Sequence, residues 1–225
     1  MDLQKFSHAC VRIQSVGRAL AIDPGNFSSV ADALAGVEAV LVTHEHADHL
    51  DLDPVVEALK TQTGLSLHAP EPVAARVLEA AVAAGVPEAQ TRIHAVAAGE
   101  NFSVAGMEVS AHGGEHALIH ATLPRVANLG YFIDGRLYHP GDSYHVPEGI
   151  DVETLLIPAH APWAKIGETI DFLVAVGAAQ NYPIHDGLLN ARGLAMMDAH
   201  LTRAANEHGL SYRRTADGEP VSLDG

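Results

Sequence analysis

Thr43-His44-Glu45-His46-Ala47-Asp48-His49 follows directly on the apolar run Ala39-Val40-Leu41-Val42. Four consecutive apolar residues read as a buried strand, so the polar string sits at a strand end. In extended chain His44 and His46 point to the same side, and both can reach one cation. A turn after them swings Asp48 and His49 toward a second cation. Imidazole nitrogen with carboxylate oxygen suits zinc, iron or manganese. In a chain with 15 histidines, such a string arises by chance in roughly one chain in a few hundred. Its place behind a buried-strand pattern favours metal ligation over a solvated turn.

The remaining composition bounds what such a site can serve. The 225 residues include 48% hydrophobic and only 18% charged residues, enough for a large core. No composition break divides the chain, so one domain over 1–225 is expected. Asp and Glu number 28 against 13 Lys and Arg, a formal charge of -15. That field repels polyanions, so no nucleic-acid partner is expected; a small molecule is. Cys10 is the only cysteine, which excludes an intrachain disulfide and a thiolate metal cluster. The stretch Met1 to His8 has no apolar signal core, and no run approaches the roughly 20 apolar residues of a membrane helix. A soluble cytoplasmic protein without membrane partners is the expectation, and the apolar composition allows homo-oligomers.

Along the chain, strands are expected over 10–15 and 19–22, and a buried strand over 39–43. Helices are expected over 28–34, from Asp53-Pro54 to Lys60, and from Glu71-Pro72 to Gly85. Short strands follow at 92–96, 101–104 and 107–111, then a hairpin of 129–133 with 136–139 turned by Asp134-Gly135. A strand at 154–157, a helix over 168–178, a strand at 182–184 and a helix over 190–207 follow; 66–68 reads as a short strand, and 210–213 and 220–223 as strands at a sheet edge. Alternating strands and helices predict sheets in the middle with helices outside.

Four further segments place a metal-competent residue where a strand is expected to end: Ala111-His112-Gly113-Gly114, His139-Pro140-Gly141-Asp142-Ser143, Pro158-Ala159-His160 and Ile184-His185-Asp186. In such folds, sites gather where strand ends and their loops converge. His116 and His120 lie downstream of His112 in the same Gly-rich region and compete with it. His116, His145 and His160 are candidates for substrate contact or proton shuttling. Trp163 with Pro162 and Ile166 reads as a hydrophobic wall or as ordinary packing. Arg125 and Lys165 are cationic candidates for a substrate phosphate or carboxylate.

In this order, from Asp23 through the His44–His49 string to His185, the segments resemble the metallo-β-lactamase superfamily. Phe6-Ser7-His8-Ala9-Cys10-Val11-Arg12-Ile13 followed by Ile22-Asp23-Pro24 is similar to its compact branch, which includes ascorbate-phosphate lactonases. The resemblance implies an α/β fold, an αββα sandwich of two mixed β-sheets flanked by helices, with a binuclear site in an edge groove. It assigns His44, His46 and His112 to one metal and Asp48, His49 and His185 to the other, with Asp142 bridging. It also nominates His8 near the groove and Asp23 as a partner that orients a ligand imidazole.

The chemistry then expected is hydrolysis of an ester, lactone or phosphoester of a small molecule by a metal-bridging hydroxide. Two divalent ions, zinc first and manganese or iron as alternatives, bring the pKa of bound water toward about 7. Asp48 orients or deprotonates that water, and His8 and His160 are the further catalytic candidates. A phosphodiesterase or nuclease of the same fold, a mono-iron dioxygenase and a non-catalytic metal-binding protein are the competing readings.

Overall fold

The computed structural model describes residues 1–223; residues 224 and 225, part of the expected single domain, lie outside the described residues. Two seven-stranded sheets occupy the middle. The first holds β1 (Asp2–Lys5), β2 (Val11–Ser15), β3 (Arg18–Ile22), β4 (Ala39–Leu41), β5 (Ser66–Pro70) and β6 (Ile93–Val96). The second holds β7 (Asn101–Val104), β8 (Met107–Glu115), β9 (Ala127–Ile133), β10 (Leu137–His139), β11 (Thr154–Pro158), β12 (Gln180–Ile184) and β13 (Ser211–Tyr212). The last strand, β14 (Pro220–Ser222), returns to the first sheet beside β1. Both sheets are mixed. The pairs β1/β2 and β2/β3 are antiparallel while β3/β4 and β4/β5 are parallel; likewise β8/β9 is antiparallel and β10/β11 and β11/β12 are parallel.

Side-chain alternation explains the layers. In β3, Leu20 and Ile22 face the core between the sheets, where they meet Met107, Tyr131 and Ile184. Ala19 and Ala21 face the other way, with Val40 and Val42, onto the helical layer. That layer comprises α1 (Val30–Ala33), α2 (Leu52–Thr61) and α3 (Glu71–Ala83). On the second sheet, Phe132, Tyr138 and Leu155 pack against α4 (Ile166–Val176) and α5 (Ala191–Glu207). The αββα sandwich is therefore present, with its central strands, such as β4, β9 and β11, buried on both faces.

Two cross-sheet bonds fix where the first sheet delivers its polar string. Tyr131 of β9 is fully buried and donates its hydroxyl to the Val42 carbonyl at 2.9 Å. The Leu129 amide donates to the Thr43 carbonyl, also at 2.9 Å. Both clamp the end of β4 onto the second sheet just before His44. The first strand, β1, went unread because its inward residues are Leu3 and Lys5. A buried lysine breaks the apolar alternation that identifies a strand.

Candidate metal centre

The site is built from the ends of parallel strands. Asp23 follows β3 in a left-handed conformation (φ +52) and is fully buried. Its carboxylate accepts from the Thr43 amide and the Thr43 hydroxyl, both at 2.7 Å, and from His49 Nδ1 at 2.6 Å. Since Thr43 Oγ1 spends its proton on Asp23, it accepts from His44 Nδ1 at 3.0 Å. One buried carboxylate thus orients two imidazoles, one directly and one through Thr43.

The second sheet brings the rest. Asp142 follows β10 after Gly141, whose φ is +62. A Cβ at Gly141 would collide with the Asn128 side chain and Thr43, so only glycine fits this turn. Asn128 holds both ends of that turn, donating to the Pro140 carbonyl and accepting from the Asp142 amide. His116 lies just past β8 and hydrogen-bonds through its amide to Val126, while the Ala117 amide donates to the Asp142 carbonyl at 2.8 Å. His185 follows β12 in a left-handed conformation (φ +56), and its Nδ1 donates to the His160 carbonyl at 2.6 Å.

Two groups of four metal-competent side chains result: His44, His46, His116 and Asp142, and beside it His8, Asp48, His49 and His185. Hydrogen bonds on the outer ring nitrogens set the tautomers. Nδ1 of His44, His49, His116 and His185 donates to Thr43, Asp23, the Ala117 carbonyl and the His160 carbonyl respectively. Each therefore turns an Nε2 lone pair inward. Buried Nε2 atoms of His49, His116 and His185, together with Asp142 Oδ1, have no hydrogen-bond partner. Yet His49 Nε2 lies 3.1 Å from Asp142 Oδ1, and His185 Nε2 lies 3.1 Å from Asp142 Oδ2. Buried lone pairs facing one another are tolerated only around a cation. The nitrogen- and oxygen-rich donor set fits divalent metal ions.

His8 is the exception. Its Nδ1 accepts from the Gly187 amide at 3.1 Å, so the ring proton sits on Nε2 and is donated to Asp48 Oδ2, also 3.1 Å away. Gly187 permits this approach, because a Cβ there would stand 3.1 Å from the His8 Nδ1. His8 is buried and presents N–H where the other imidazoles present lone pairs.

Electrostatics agree with this inventory. Burial alone would lower the His49 pKa, but Asp142 and Asp23 outweigh it and hold the ring well above the usual imidazole range. Burial likewise opposes the charged form of His185, while Asp142 pushes it up to about 9. For Asp142, burial favours the neutral acid, and His49 and His185 override that to hold it well below the carboxylate range. The pocket is a carboxylate field that demands positive charge, from protons or from metal ions.

Of the expected ligands, His44, His46, Asp48, His49, Asp142 and His185 all come together here. His112 does not. Strand β8 runs on through Gly113 and Gly114 to Glu115, pairing with Leu129, Asn128 and Ala127. His112 is thereby held within the sheet, bonded to Ser110 at 2.9 Å and packed beside Phe132 and Tyr138. His116, at the true strand end, takes the position assigned to His112. His160, expected as a further catalytic candidate, belongs to neither group, and its backbone carbonyl orients His185. His8 reaches the site through Asp48. Arg125 and Lys165 are engaged by Glu115 and Glu168.

The polar contacts of three further residues could not be read from the sequence. Asn128 carried no local signal. Trp163 proves to donate its indole N–H to Asp142 Oδ2 at 3.1 Å. Asp186 follows His185 and accepts from buried Lys5 at 2.7 Å and from Arg214, anchoring the segment that carries His185 and Gly187. The cleft over both groups, about 320 Å³, is lined by His46, Asp48, His116, Asp142 and His185 together with Phe27, Ile119, Pro162, Trp163 and Leu188.

Two mixed sheets inside helices, with twin His/Asp groups joined at Asp142, define the metallo-β-lactamase fold. Residues 2–185 match the Beta-lactamase superfamily domain, and the chain belongs to that family. Protein Rv0786c of Mycobacterium tuberculosis is 36% identical over 201 residues, 86% of this chain and 89% of that protein. Among solved structures, Igni18, a metallo hydrolase of Ignicoccus hospitalis, superposes with a TM-score of 0.71 at 16% identity, covering 98% of this chain and 97% of its own. CmlA, a diiron β-hydroxylase of Streptomyces venezuelae, superposes with a TM-score of 0.73 at 16% identity, covering 99% of this chain and 54% of its own.

Proposed function

We propose that this protein is a metal-dependent hydrolase that holds two divalent cations, zinc foremost, and cleaves an ester or lactone of a small molecule. The observation that carries this reading is the joining of two four-residue groups at Asp142, with inward lone pairs on four buried imidazoles. Bound divalent ions would supply an acidified water and a Lewis acid for the carbonyl oxygen. The chain's own residues supply the rest. Asp142 is locked between Asn128, Trp163 and three imidazoles, so its carboxylate has one geometry. Asp48 is the more exposed of the two cleft carboxylates, with Oδ2 held by His8 and no hydrogen bond on Oδ1 among the described residues. It accepts the proton of the attacking water at Oδ1 and returns it to the leaving oxygen. Trp163 and Pro162 close one side of the cleft against bulk water.

Phosphoester cleavage is the weaker reading, because among the described residues no lysine or arginine lines the metal-bearing cleft. The diiron hydroxylase on the same fold makes redox chemistry the competing class. Elemental analysis with a substrate panel decides between them. About two zinc equivalents per chain with hydrolysis of esters or lactones supports the proposal. Iron as the dominant metal, with no hydrolysis across esters, lactones and phosphoesters, overturns it.

A further inference from the structure

The cleft does not end at the metal-binding groups. A second cavity of about 460 Å³ adjoins it and shares Ile119, Pro162 and Trp163 as a common wall. Trp163 stands between the two ends, edge-on to His116 at 6.0 Å and to Tyr144 at 5.0 Å. Large apolar side chains crowd this opening while remaining exposed: Phe27 at 43%, Leu118 at 50%, Ile119 at 38% and Leu188 at 54%. Scattered exposed apolar residues mean little, but several around one functional opening mark a surface that binds something apolar.

Charge narrows the occupant. The lysine in this groove, Lys165, is tied to Glu168 at 2.9 Å, and Arg125, on the segment leading back into β9, is tied to Glu115. Neither lines the metal-bearing end, and the chain as a whole carries -15. Away from the metal-binding groups, the groove offers an uncharged chain an apolar wall, and its lysine, Lys165, already faces a carboxylate.

Resting on the hydrolase reading, we propose that the substrate is an uncharged lipophilic ester or lactone. Its carbonyl lies at Asp48 and Asp142, and its alkyl or aryl portion lies across Trp163 between Ile119, Pro162 and Leu118. Sugar phosphates and nucleotides are outside this class.

Trp163 is the only tryptophan of the chain, so its fluorescence reports occupancy of the groove directly. Two measurements on the metal-loaded protein test the proposal. The first is turnover of p-nitrophenyl acetate, butyrate and octanoate. The second is titration of Trp163 emission with 2-decanone, an uncharged carbonyl compound with no leaving group, against acetone. The expected result is a kcat/KM at least about 10-fold higher for octanoate than acetate, carried by KM. Trp163 emission should change saturably with 2-decanone, and Ile119→Ser and Leu118→Ser should bring the octanoate-to-acetate ratio toward one. Ester turnover that ignores chain length, with no 2-decanone response, overturns the proposal and leaves the hydrolase reading standing. A 2-decanone response without turnover of any ester overturns the hydrolase reading and retains the apolar groove. If Ile119→Ser and Leu118→Ser instead shift the protein from oligomer to monomer with the ratio unchanged, the surface joins two copies and the proposal falls.

Discussion

His185, just past β12, and His68, in the middle of β5, are both buried imidazoles, yet their environments drive them in opposite directions. At His185, burial is outweighed by Asp142, and the ring is pushed up to about 9. At His68, burial is reinforced by His94, and the ring falls to about 4. His68 stacks between His94 and Phe102, with ring centroids at 4.6 and 4.8 Å. The cleft histidines surround carboxylates; the His68 pair has none within its stack. Neither histidine content nor burial marks a metal centre. What marks it is carboxylate oxygen among lone pairs whose outer nitrogens are already committed.

Asp142 is therefore the residue whose loss should cost most. It faces His49, His116 and His185 and joins the two groups. Asp142→Ala should release both metals and lower kcat/KM by about 10³-fold or more. Elemental analysis beside a kinetic assay checks this. Retention of both metals in that variant would break the claim that a central carboxylate separates the cleft from the His68 region.

His116 and His112 provide the next test, since the two lie on the same strand and its extension. His116→Ala should reduce metal content from about two equivalents to about one and activity by at least about 10²-fold. His112→Ala should leave metal content unchanged and activity within about twofold. The reverse outcome would return the ligand to the position the sequence first suggested.

That pair also shows how much was legible before the structure. The His44–His49 string was readable because its metal-competent residues are local in sequence and follow closely on β4. Asp142 and His185 were readable because Gly141 and the end of a short apolar strand punctuate them. The third imidazole depended on where β8 stops. A Gly-Gly pair reads as a breaker, but Gly113 and Gly114 keep their register with Leu129 and Asn128, and the strand runs on to Glu115. The strand ends four residues beyond the expected point, and His116 stands just past it. Asn128, Trp163 and the contact of Lys5 with Asp186, 181 positions apart, exist only once the sheets are packed.

Within the second group, His8 and His185 both turn Nε2 inward and differ in whether that nitrogen carries the ring proton. His8→Gln should preserve metal content while lowering kcat by about 10-fold, because an N–H toward Asp48 is weakened and no ligand is removed. Loss of one metal would make His8 a ligand instead. The neighbouring anchor acts one step further out. Ser7, His8 and His185 all sit at positive φ (+74, +51 and +56), a conformation the surroundings must enforce at about 1–3 kcal/mol each. The Lys5–Asp186–Arg214 cluster does this from behind the site. Asp186→Asn should weaken binding of the second metal about 10- to 100-fold while the first is retained, as read by titration with a competing chelator.

The smallest effect belongs to His68, and there the sign follows from its depressed pKa. The folded protein keeps His68 neutral down to about 4, whereas an unfolded chain protonates it near 6.5. Between those values the unfolded state binds more protons, so folding stability falls as pH drops from 6.5 toward 4. The depression corresponds to at most about 3 kcal/mol, and partial solvent access brings the expected contribution nearer 1–2 kcal/mol. His94 is the titratable group facing it; Ser66 and Phe102 complete its contacts. His68→Gln should flatten the slope of urea-unfolding stability between pH 6.5 and 4 without altering metal content. An unchanged slope would mean that His94, or protonation within the cleft, carries the acid sensitivity, and that the two regions differ in charge but not in their cost to the fold.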